Sequence, residues 1–355
     1  MYENVTFEDL LQRMLDRVPA NMDKREGSVI YDAIAPAAVE LQNLYIELDV
    51  ILKESFADTA TMPYLIRRAR ERGITPFGAT PAILKAECSP KDCEVPLGTR
   101  FSLNTLNYKV TEKIADGTYK VECETLGAIG NSYFGDMIPI DYVQGLVMMT
   151  VTELLIPGED DETLEAFRER YFKNIMSQAY GGNIADYKEK TMTINGVGGV
   201  KVKPTWNGGG TVKLIFQDST FAKPSTELVA LVQNTIDPVG HSGKGYGVAP
   251  IGHIVTVEGV NEVVIDIATE IVYETDWKWE DCEFSIRQAV DSYFQELRES
   301  WMGEEFIIVR ISQLEAKILN VNGILDISGT TLNGSTKNLY LAENEIPVRG
   351  GINGN

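Results

Sequence analysis

The sequence contains few of the residues that build metal and redox sites. Only two histidines, His241 and His253, occur among 355 residues. The four cysteines form no CxxC pair. Cys88 and Cys93 lie close together, but a zinc site there would need two further soft ligands nearby. We therefore expect free, reduced thiols, no metal site and no cofactor.

Long apolar runs and a positive charge balance are also absent. No stretch approaches the ~18 to 20 continuous apolar residues of a membrane span, and the acidic N-terminus lacks the apolar core of a secretion signal. We expect no membrane insertion, synthesis in the bacterial cytoplasm and release by lysis. The chain carries 52 acidic and 32 basic residues, a formal net charge of −20. Because such a chain repels phosphate backbones, we expect no nucleic-acid binding.

Motifs of the common catalytic sites are missing too. The segment around Gly243-Lys244 lacks the Ser or Thr and the following helix of a nucleotide-binding P-loop. Neither a G-x-S-x-G elbow nor an HExxH helix occurs. A carboxylate pair such as Asp160 and Glu165 leaves a glycan hydrolase open as an alternative. Carboxylates are so abundant that the pair has little specificity, and we predict no catalytic residue and no enzyme.

What the sequence does contain is a succession of different hydrophobic periodicities. Apolar residues recur with helical spacing up to a Pro- and Gly-rich linker at 76–81, after which the period changes to two. The pattern predicts an α+β multi-domain protein with a helical N-terminal arm, a small all-β domain (sandwich or barrel) and two α+β lobes with short antiparallel sheets. The predicted boundaries are 1–75, 76–157, 158–258 and 259–355.

The second predicted helix of the arm has a long apolar face. Pro36 lies within it and is expected to kink or split the helix. Farther along, four residues are spaced three and four apart, as in a short heptad pattern: Leu41, Leu44, Leu48 and Ile51. This stripe either packs inside the arm or docks on helices of another chain.

The most informative stretch runs from 158 to 218. Asp160, Asp161 and Glu162 are expected to satisfy free N–H groups at the start of a helix over 163–176. Asn183 is the predicted cap of a second helix over 184–193. A strand over 197–203, a Gly-rich turn at 207–210 and a return strand complete a compact α+β unit.

The order of these signals resembles the core of the baseplate-J-like family. The residues that carry the resemblance are Glu165, Arg168, Arg170, Gly181, Gly182, Asn183, Asp186, Tyr187, Val197, Val200 and Val202. The resemblance implies a structural wedge subunit in the baseplate of a contractile phage tail or tail-like bacteriocin. In that family, copies associate into a ring around the hub, and the helical arm binds other wedge chains.

The same resemblance implies contacts with hub and sheath-initiating proteins, and a rearrangement that accompanies sheath contraction. Such work requires large contact surfaces rather than a catalytic centre. A receptor-binding tip protein is a further alternative, although the helical arm and α+β lobes argue against it.

Three features toward the C-terminus complete the predictions. The segments 194–197 and 321–324 both contain Asn-Gly after a predicted helix, which suggests two copies of a helix–hairpin unit. The return strand of the second hairpin is predicted at 339–341. The Gly- and Asn-rich tail from 349 to 355 is expected to be loose. Trp277 and Trp279 either form an exposed contact or divide between interior and surface.

Overall fold

The computed structural model describes residues 2, 4–176 and 181–354. These residues divide into two compact units. The described residues of 1–77 and 162–176 form the first unit, and those of 78–161 and 181–354 form the second.

The first unit is helical. Its helices are α1 (Phe7–Leu15), α2 (Val29–Ser55), α3 (Met62–Arg70) and α4 (Leu164–Met176). Thr6 and Ser28 cap α1 and α2 by accepting a hydrogen bond from the backbone N–H three residues on. Helix α2 continues through Pro36, so the expectation that this proline splits the helix is wrong. Proline removes one backbone donor, and a helix of 27 residues tolerates that loss.

Helix α4 packs with the N-terminal helices although it follows them by more than 80 residues in the chain. Its buried Phe167 and Tyr171 join Leu65 and Ala69 of α3 and Ile74 in one apolar cluster. The sequence-based boundary at 158 placed this helix in the central lobe. The packing differs because the apolar face of α4 is complementary to α3, a non-local match that local periodicity does not reveal.

Residues 78–161 form a closed six-stranded barrel, one of the two architectures expected. Neighbouring strands are antiparallel, and their order around the barrel is β1-β4-β3-β2-β5-β6. The strands are β1 (Pro81–Ser89), β2 (Arg100–Leu103), β3 (Leu106–Ala115), β4 (Thr118–Leu126), β5 (Gly135–Pro139) and β6 (Met148–Ile156). Alternate residues of β1 are buried, as expected where one strand face lines the core.

The central lobe packs helices against a three-stranded sheet. Its elements are α5 (Ile184–Met192), β7 (Val197–Pro204), β8 (Thr211–Asp218), α6 (Thr226–Ile236) and β9 (Ile254–Gly259). Strand β8 lies in the middle, antiparallel to β7 and parallel to β9. The core joins Val200, Leu214 and Phe216 of the sheet to Leu228 and Val232 of α6.

The C-terminal lobe contains a second three-stranded sheet. Its elements are β10 (Asn261–Tyr273), α7 (Trp279–Ser300), β11 (Ile308–Val309), α8 (Ile311–Leu319), β12 (Ile324–Leu332), β13 (Leu339–Tyr340) and β14 (Glu345–Gly354). The middle strand β10 is antiparallel to β12 and parallel to β14. The α+β multi-domain class is thus confirmed. The expectation of antiparallel sheets is wrong for both lobes, because in each a crossover containing a helix joins a parallel pair.

Two local predictions in the C-terminal lobe are also wrong. Strand β13 pairs with β11 and not with β12, so no second helix–hairpin unit forms. The tail is not loose through Gly354, because β14 pairs with β10 along its length; Asn355 lies outside the described residues. The Gly-rich tail has little side-chain pattern, and its order comes from backbone pairing and from the ring of Trp279, which occupies the space a Cβ of Gly354 would need.

Candidate interaction surfaces

Helix α2 carries the predicted partner-facing stripe on an uncovered side. Helix α1 covers a different face of its N-terminal half, where Leu10 and Leu11 pack against Ala38. The stripe residues Leu41, Leu44, Leu48 and Ile51 are all exposed, Leu44 by 53% and Ile51 by 59%. We call these four residues the arm stripe. Whether a partner covers it stays a prediction.

A second exposed apolar row runs along α2. Val39, Ile46 and Val50 are each more than 40% exposed. At about 100° per residue this row lies roughly 160° around the helix from the arm stripe. A helix with apolar residues on most sides is normally buried on most sides. Within the described residues, only Ala38 and Asp49 of α2 are buried, so the helix has apolar surface available for other chains.

The family-motif arginines fasten α4 to the segments around it. Arg168 donates to the carbonyl oxygens of Ala57 and Ala60, at 3.0 and 2.8 Å. Arg170 donates to Glu162 through Nε and Nη2, and its guanidinium lies 3.9 Å from the ring centroid of Phe77. Both side chains therefore stabilise the first unit, and neither is directed toward a free ligand site.

The Gly-Gly-Asn-x-x-Asp-Tyr motif builds the start of α5. Asn183 Oδ1 accepts from the Asp186 N–H, and Asp186 Oδ2 accepts from the Gly182 N–H, both at 2.8 Å. Such reciprocal bonds satisfy donors that a helix start leaves free. Gly182 has φ +91°, and a Cβ there would lie 2.6 Å from Pro250. The motif thus requires glycine for both backbone conformation and space.

Tyr187 joins α5 to the loop before β9. Its hydroxyl lies 2.8 Å from His253 Nδ1, and the two rings stack. Burial raises the pKa of Tyr187 to about 12, so the neutral phenol is the stable form. The remaining motif positions Val197 and Val200 are buried in the core of the central lobe, with Val202 partly buried beside them. These motif residues share a structural role.

Contrary to the prediction, the acidic residues before α4 do not cap that helix. Asp160 accepts from the Ala128 N–H and Asp161 from the Ala79 N–H, both at 2.9 Å. Glu162 accepts from the Phe77 N–H and pairs with Arg170. The helix start is instead capped by Thr163, whose Oγ1 accepts from the Ala166 N–H at 3.2 Å. These carboxylates bind backbone N–H groups that are distant in sequence. The residue preferences of helix starts do not predict such partners.

The carboxylate pair considered for glycan hydrolysis has ordinary structural partners. Asp160 is held by the Ala128 N–H. Glu165 is exposed and pairs with Arg168 one helical turn later, at 3.3 Å. No group of three or more His, Cys, Asp or Glu side chains is arranged to hold a metal ion within 2, 4–176 and 181–354. All four cysteines are free and buried. Over the same residues, no helix is long and apolar enough to cross a membrane.

The two tryptophans of the 277–279 turn divide between surface and interior. Trp277 is 40% exposed and its ring lies against Gly323. Trp279 packs on the core of the C-terminal lobe. The second of the two sequence-based alternatives is therefore the observed one.

A surface on the barrel was missed from the sequence. Six large apolar side chains between 134 and 148 are exposed, Tyr142 by 90% and Val147 by 83%; the set is Phe134, Ile138, Ile140, Tyr142, Val147 and Met148. The sequence signal for this surface was the density of large apolar residues between 134 and 148. In the structure, this segment contains only one five-residue strand, β5, before β6. Contiguous exposed apolar patches are typical of protein–protein contacts.

Comparison with known proteins identifies the class to which this architecture belongs. The Baseplate J-like central domain matches residues 179–259, and the Baseplate J-like protein C-terminal domain matches residues 265–355. The chain is 38% identical over 355 residues to the uncharacterized protein YqbT of Bacillus subtilis (strain 168), covering 99% of this chain and 98% of YqbT. It is 37% identical over 354 residues to the phage-like element PBSX protein XkdT of the same organism, with the same coverage.

A solved structure, the cryo-EM structure of the anti-feeding prophage baseplate, aligns with 98% of this chain and 99% of its own. The identity is 10% and the TM-score 0.40, too low to support an inference. The family matches and the two relatives are sufficient: the chain belongs to the baseplate J-like family. Its class is a baseplate structural protein of a phage or phage-like particle.

Proposed function

We propose that this protein is a wedge subunit in the baseplate of a contractile particle. Copies associate with one another in a ring around the hub, bind other wedge chains through the arm, and contact hub and sheath-initiating proteins. The protein assembles in the bacterial cytoplasm and leaves the cell in the particle. Family membership supports the baseplate role, and the name of XkdT links one relative to a phage-like element.

The observation that carries the arm's role is the exposure of apolar residues on two sides of α2. Helix α1 has nine residues and α2 has 27, so α1 covers only part of α2. Burying a Leu, Ile or Val side chain contributes about 1.5–3 kcal/mol of stabilisation. A partner chain that covers the two exposed rows of α2 gains this stabilisation for the complex. Docking of amphipathic helices along these rows uses the 3–4 spacing of the arm stripe.

The division of the chain into two compact units supports a rearrangement during contraction. Each unit has apolar clusters of its own. Transitions of large assemblies commonly move such bodies about interfaces while their interiors stay packed. Neither the cluster that closes α4 onto α3 nor the lobe cores need open in such a transition.

The test replaces Leu44 and Leu48 with Asp in producing cells. Because both side chains are exposed, the Leu44→Asp/Leu48→Asp chain should remain folded and soluble while incorporation into fast-sedimenting particles falls at least tenfold. Mass spectrometry of the fast fraction measures incorporation, and circular dichroism of the purified chain measures folding. The control changes Asn43 and Glu47 to Asp on the same helix, which adds one negative charge and removes no apolar side chain, and it should assemble normally.

Two results would contradict the proposal. If the Leu44→Asp/Leu48→Asp chain unfolds, the arm stripe is internal core. If the unmodified chain stays at monomer or dimer size while sheath, tube and hub proteins form particles without it, the wedge role fails.

A further inference from the structure

Charge is distributed unevenly along this acidic chain. The segments 201–217 and 238–257 contain no Asp or Glu, although the whole chain has 52 such residues in 355. They contain Lys201, Lys203, Lys213 and Lys244 and both histidines of the protein. The two segments are separated in sequence by α6, so their shared lack of carboxylates is not one local run.

The fold brings the turn regions of both segments to one end of the central sheet. The turn after β7 and the loop before β9 meet where the Ile254 N–H donates to the Gly210 carbonyl, at 2.8 Å. Six large apolar side chains of these segments are exposed, among them Tyr246 by 73% and Ile251 by 83%. We call the five that are more than 40% exposed the tip: Trp206, Val239, Tyr246, Ile251 and Ile254.

The loop that presents most of the tip is held in one conformation by a buried carboxylate. Asp237 is 1% exposed. It accepts hydrogen bonds from Ser242 Oγ, from the Gly243 N–H at 3.1 Å and from the Val255 N–H at 2.9 Å. The ring of Tyr246 lies 4.7 Å from that of His241. A braced loop loses little conformational freedom when it binds, which favours association.

A surface of opposite character lies on the C-terminal lobe. Phe306 and Tyr340 are exposed neighbours, with ring centroids 6.0 Å apart. Glu304, Glu305 and Glu343 line two depressions of about 310 and 350 Å³ beside these rings. We call these five residues the glutamate patch.

Contacts within one chain already show that the glutamate patch accommodates lysines. Lys203 of β7 pairs with Glu343 at 2.5 Å. Lys201 donates to the backbone carbonyls of Glu305 and Glu343, and its ammonium lies 4.4 Å from the ring centroid of Trp301. Because Trp206 follows Lys203 by three residues, the tip and the glutamate patch occupy adjoining parts of the second unit.

We propose that the tip of one copy docks on the glutamate patch of a second copy, and that a two-fold axis makes this contact twice in each pair. The inference deepens the self-association proposed above and rests on it. Apolar tip residues cover the exposed rings of Phe306 and Tyr340, while Lys244 faces Glu304 and Glu305. Adjoining, complementary surfaces on one chain suit a two-fold pair, in which each surface meets the other.

The test reverses the charges separately and then together. One variant is Lys244→Glu/Tyr246→Glu, and the other is Glu304→Lys/Glu305→Lys; all four side chains are exposed. Sedimentation equilibrium of the full chain should show self-association at least tenfold weaker for each variant alone. Their equimolar mixture should restore the pair, because every docked contact again joins opposite charges.

Further variants separate the tip from other surfaces and from misfolding. Ile251→Glu is an independent change at the tip and should also weaken pairing at least tenfold. Glu94→Lys/Asp116→Lys, which reverses two exposed carboxylates of the barrel, should leave pairing unchanged. Circular dichroism and thermal unfolding of every variant check the fold. Repeating the series in the Leu44→Asp/Leu48→Asp background removes contacts made by the arm stripe.

The outcomes also separate this inference from the proposed function. The inference is overturned if the unmodified chain is monomeric at every concentration, if the folded tip and patch variants pair as the unmodified chain does, or if their mixture stays monomeric. Pairing through another surface, or a different baseplate protein on the tip, overturns it as well. Incorporation of the unmodified chain into particles, measured independently, decides the wedge role.

Discussion

The two α+β lobes reach the same sheet arrangement by different chain orders. In the central lobe the chain passes from the antiparallel edge strand β7 to the middle strand β8, then through α6 to the parallel edge strand β9. In the C-terminal lobe the middle strand β10 comes first, and both edge strands come after α7 and α8. The strand pairings match although the connections do not.

The turns that lead into the antiparallel edge strands β7 and β12 show how far the two lobes resemble each other. Helix α5 leads through Asn195-Gly196 into β7, and α8 leads through Asn322-Gly323 into β12. Gly196 and Gly323 have φ of +87° and +90°. The pairing partners differ, since β7 turns back into the next strand of the chain and β12 pairs with a strand made earlier. The shared Asn-Gly signal therefore specifies the entry to a strand and not the strand that pairs with it.

The lobes also differ in how they use tryptophan, and this difference gives the largest expected effect. Trp301 of the C-terminal lobe is fully buried, donates to the Glu343 carbonyl at 2.9 Å and receives Lys201 on its ring. Trp301→Ala should lower the free energy of unfolding by about 3–5 kcal/mol. Trp206→Ala in the central lobe, where the residue is 41% exposed, should cost about 1 kcal/mol or less. Urea unfolding measures both; equal losses would contradict the assigned burial.

The two Asn-Gly turns give the next comparison. A Cβ at Gly323 would lie 2.2 Å from the Trp277 ring, whereas one at Gly196 would lie 3.1 Å from a methyl carbon of Leu228. Both positions need a left-handed backbone, so alanine is strained at each by about 1–3 kcal/mol. Gly323→Ala should cost about 1–3 kcal/mol more than Gly196→Ala, because a rigid ring must move. Thermal unfolding tests the order, and combining Gly323→Ala with Trp277→Ala should remove most of the excess.

The smallest expected effect concerns alkaline stability of the central lobe. The folded-state pKa of Tyr187 is raised from 10.0 to about 12 by burial. The unfolded state therefore loses this proton first, and the associated stability is complete below pH 10 and is lost as pH rises toward 12. Tyr187→Phe should be less stable at neutral pH because His253 loses its partner, with a shallower decline between pH 10 and 12. Chemical unfolding at stepped pH measures this slope, and an unchanged slope would contradict the pKa assignment.

Local chemistry predicted the ends and faces of many elements. Asn183 caps α5 as predicted, and the period of two predicted after the 76–81 linker appears as the alternating burial of β1. The stripe on α2 was visible as spacing, but spacing cannot distinguish an internal face from an external one. That distinction depends on the short length of α1.

Predictions failed where a partner distant in sequence decides the outcome. Asp160 and Asp161 bind backbone N–H groups of residues 128 and 79 rather than the adjacent helix. The tail becomes a strand because β10 offers a free edge, and the glycines of 350–354 give no side-chain signal for it. The tip likewise arises only when residues separated by α6 are brought to one end of the sheet.

The interruption of the first unit by the barrel sequence has a consequence during translation. Leu65 and Ala69 cannot pack against Phe167 and Tyr171 until those residues have been synthesised. The two parts of the first unit are separated in sequence by 84 residues, 78–161. At roughly 5–20 residues per second, the ribosome needs about 4–17 s to make the intervening segment. The core between α3 and α4 therefore cannot form until the barrel segment and Met176 have been synthesised, and every nascent chain shorter than that carries α3 with its apolar face uncovered by α4.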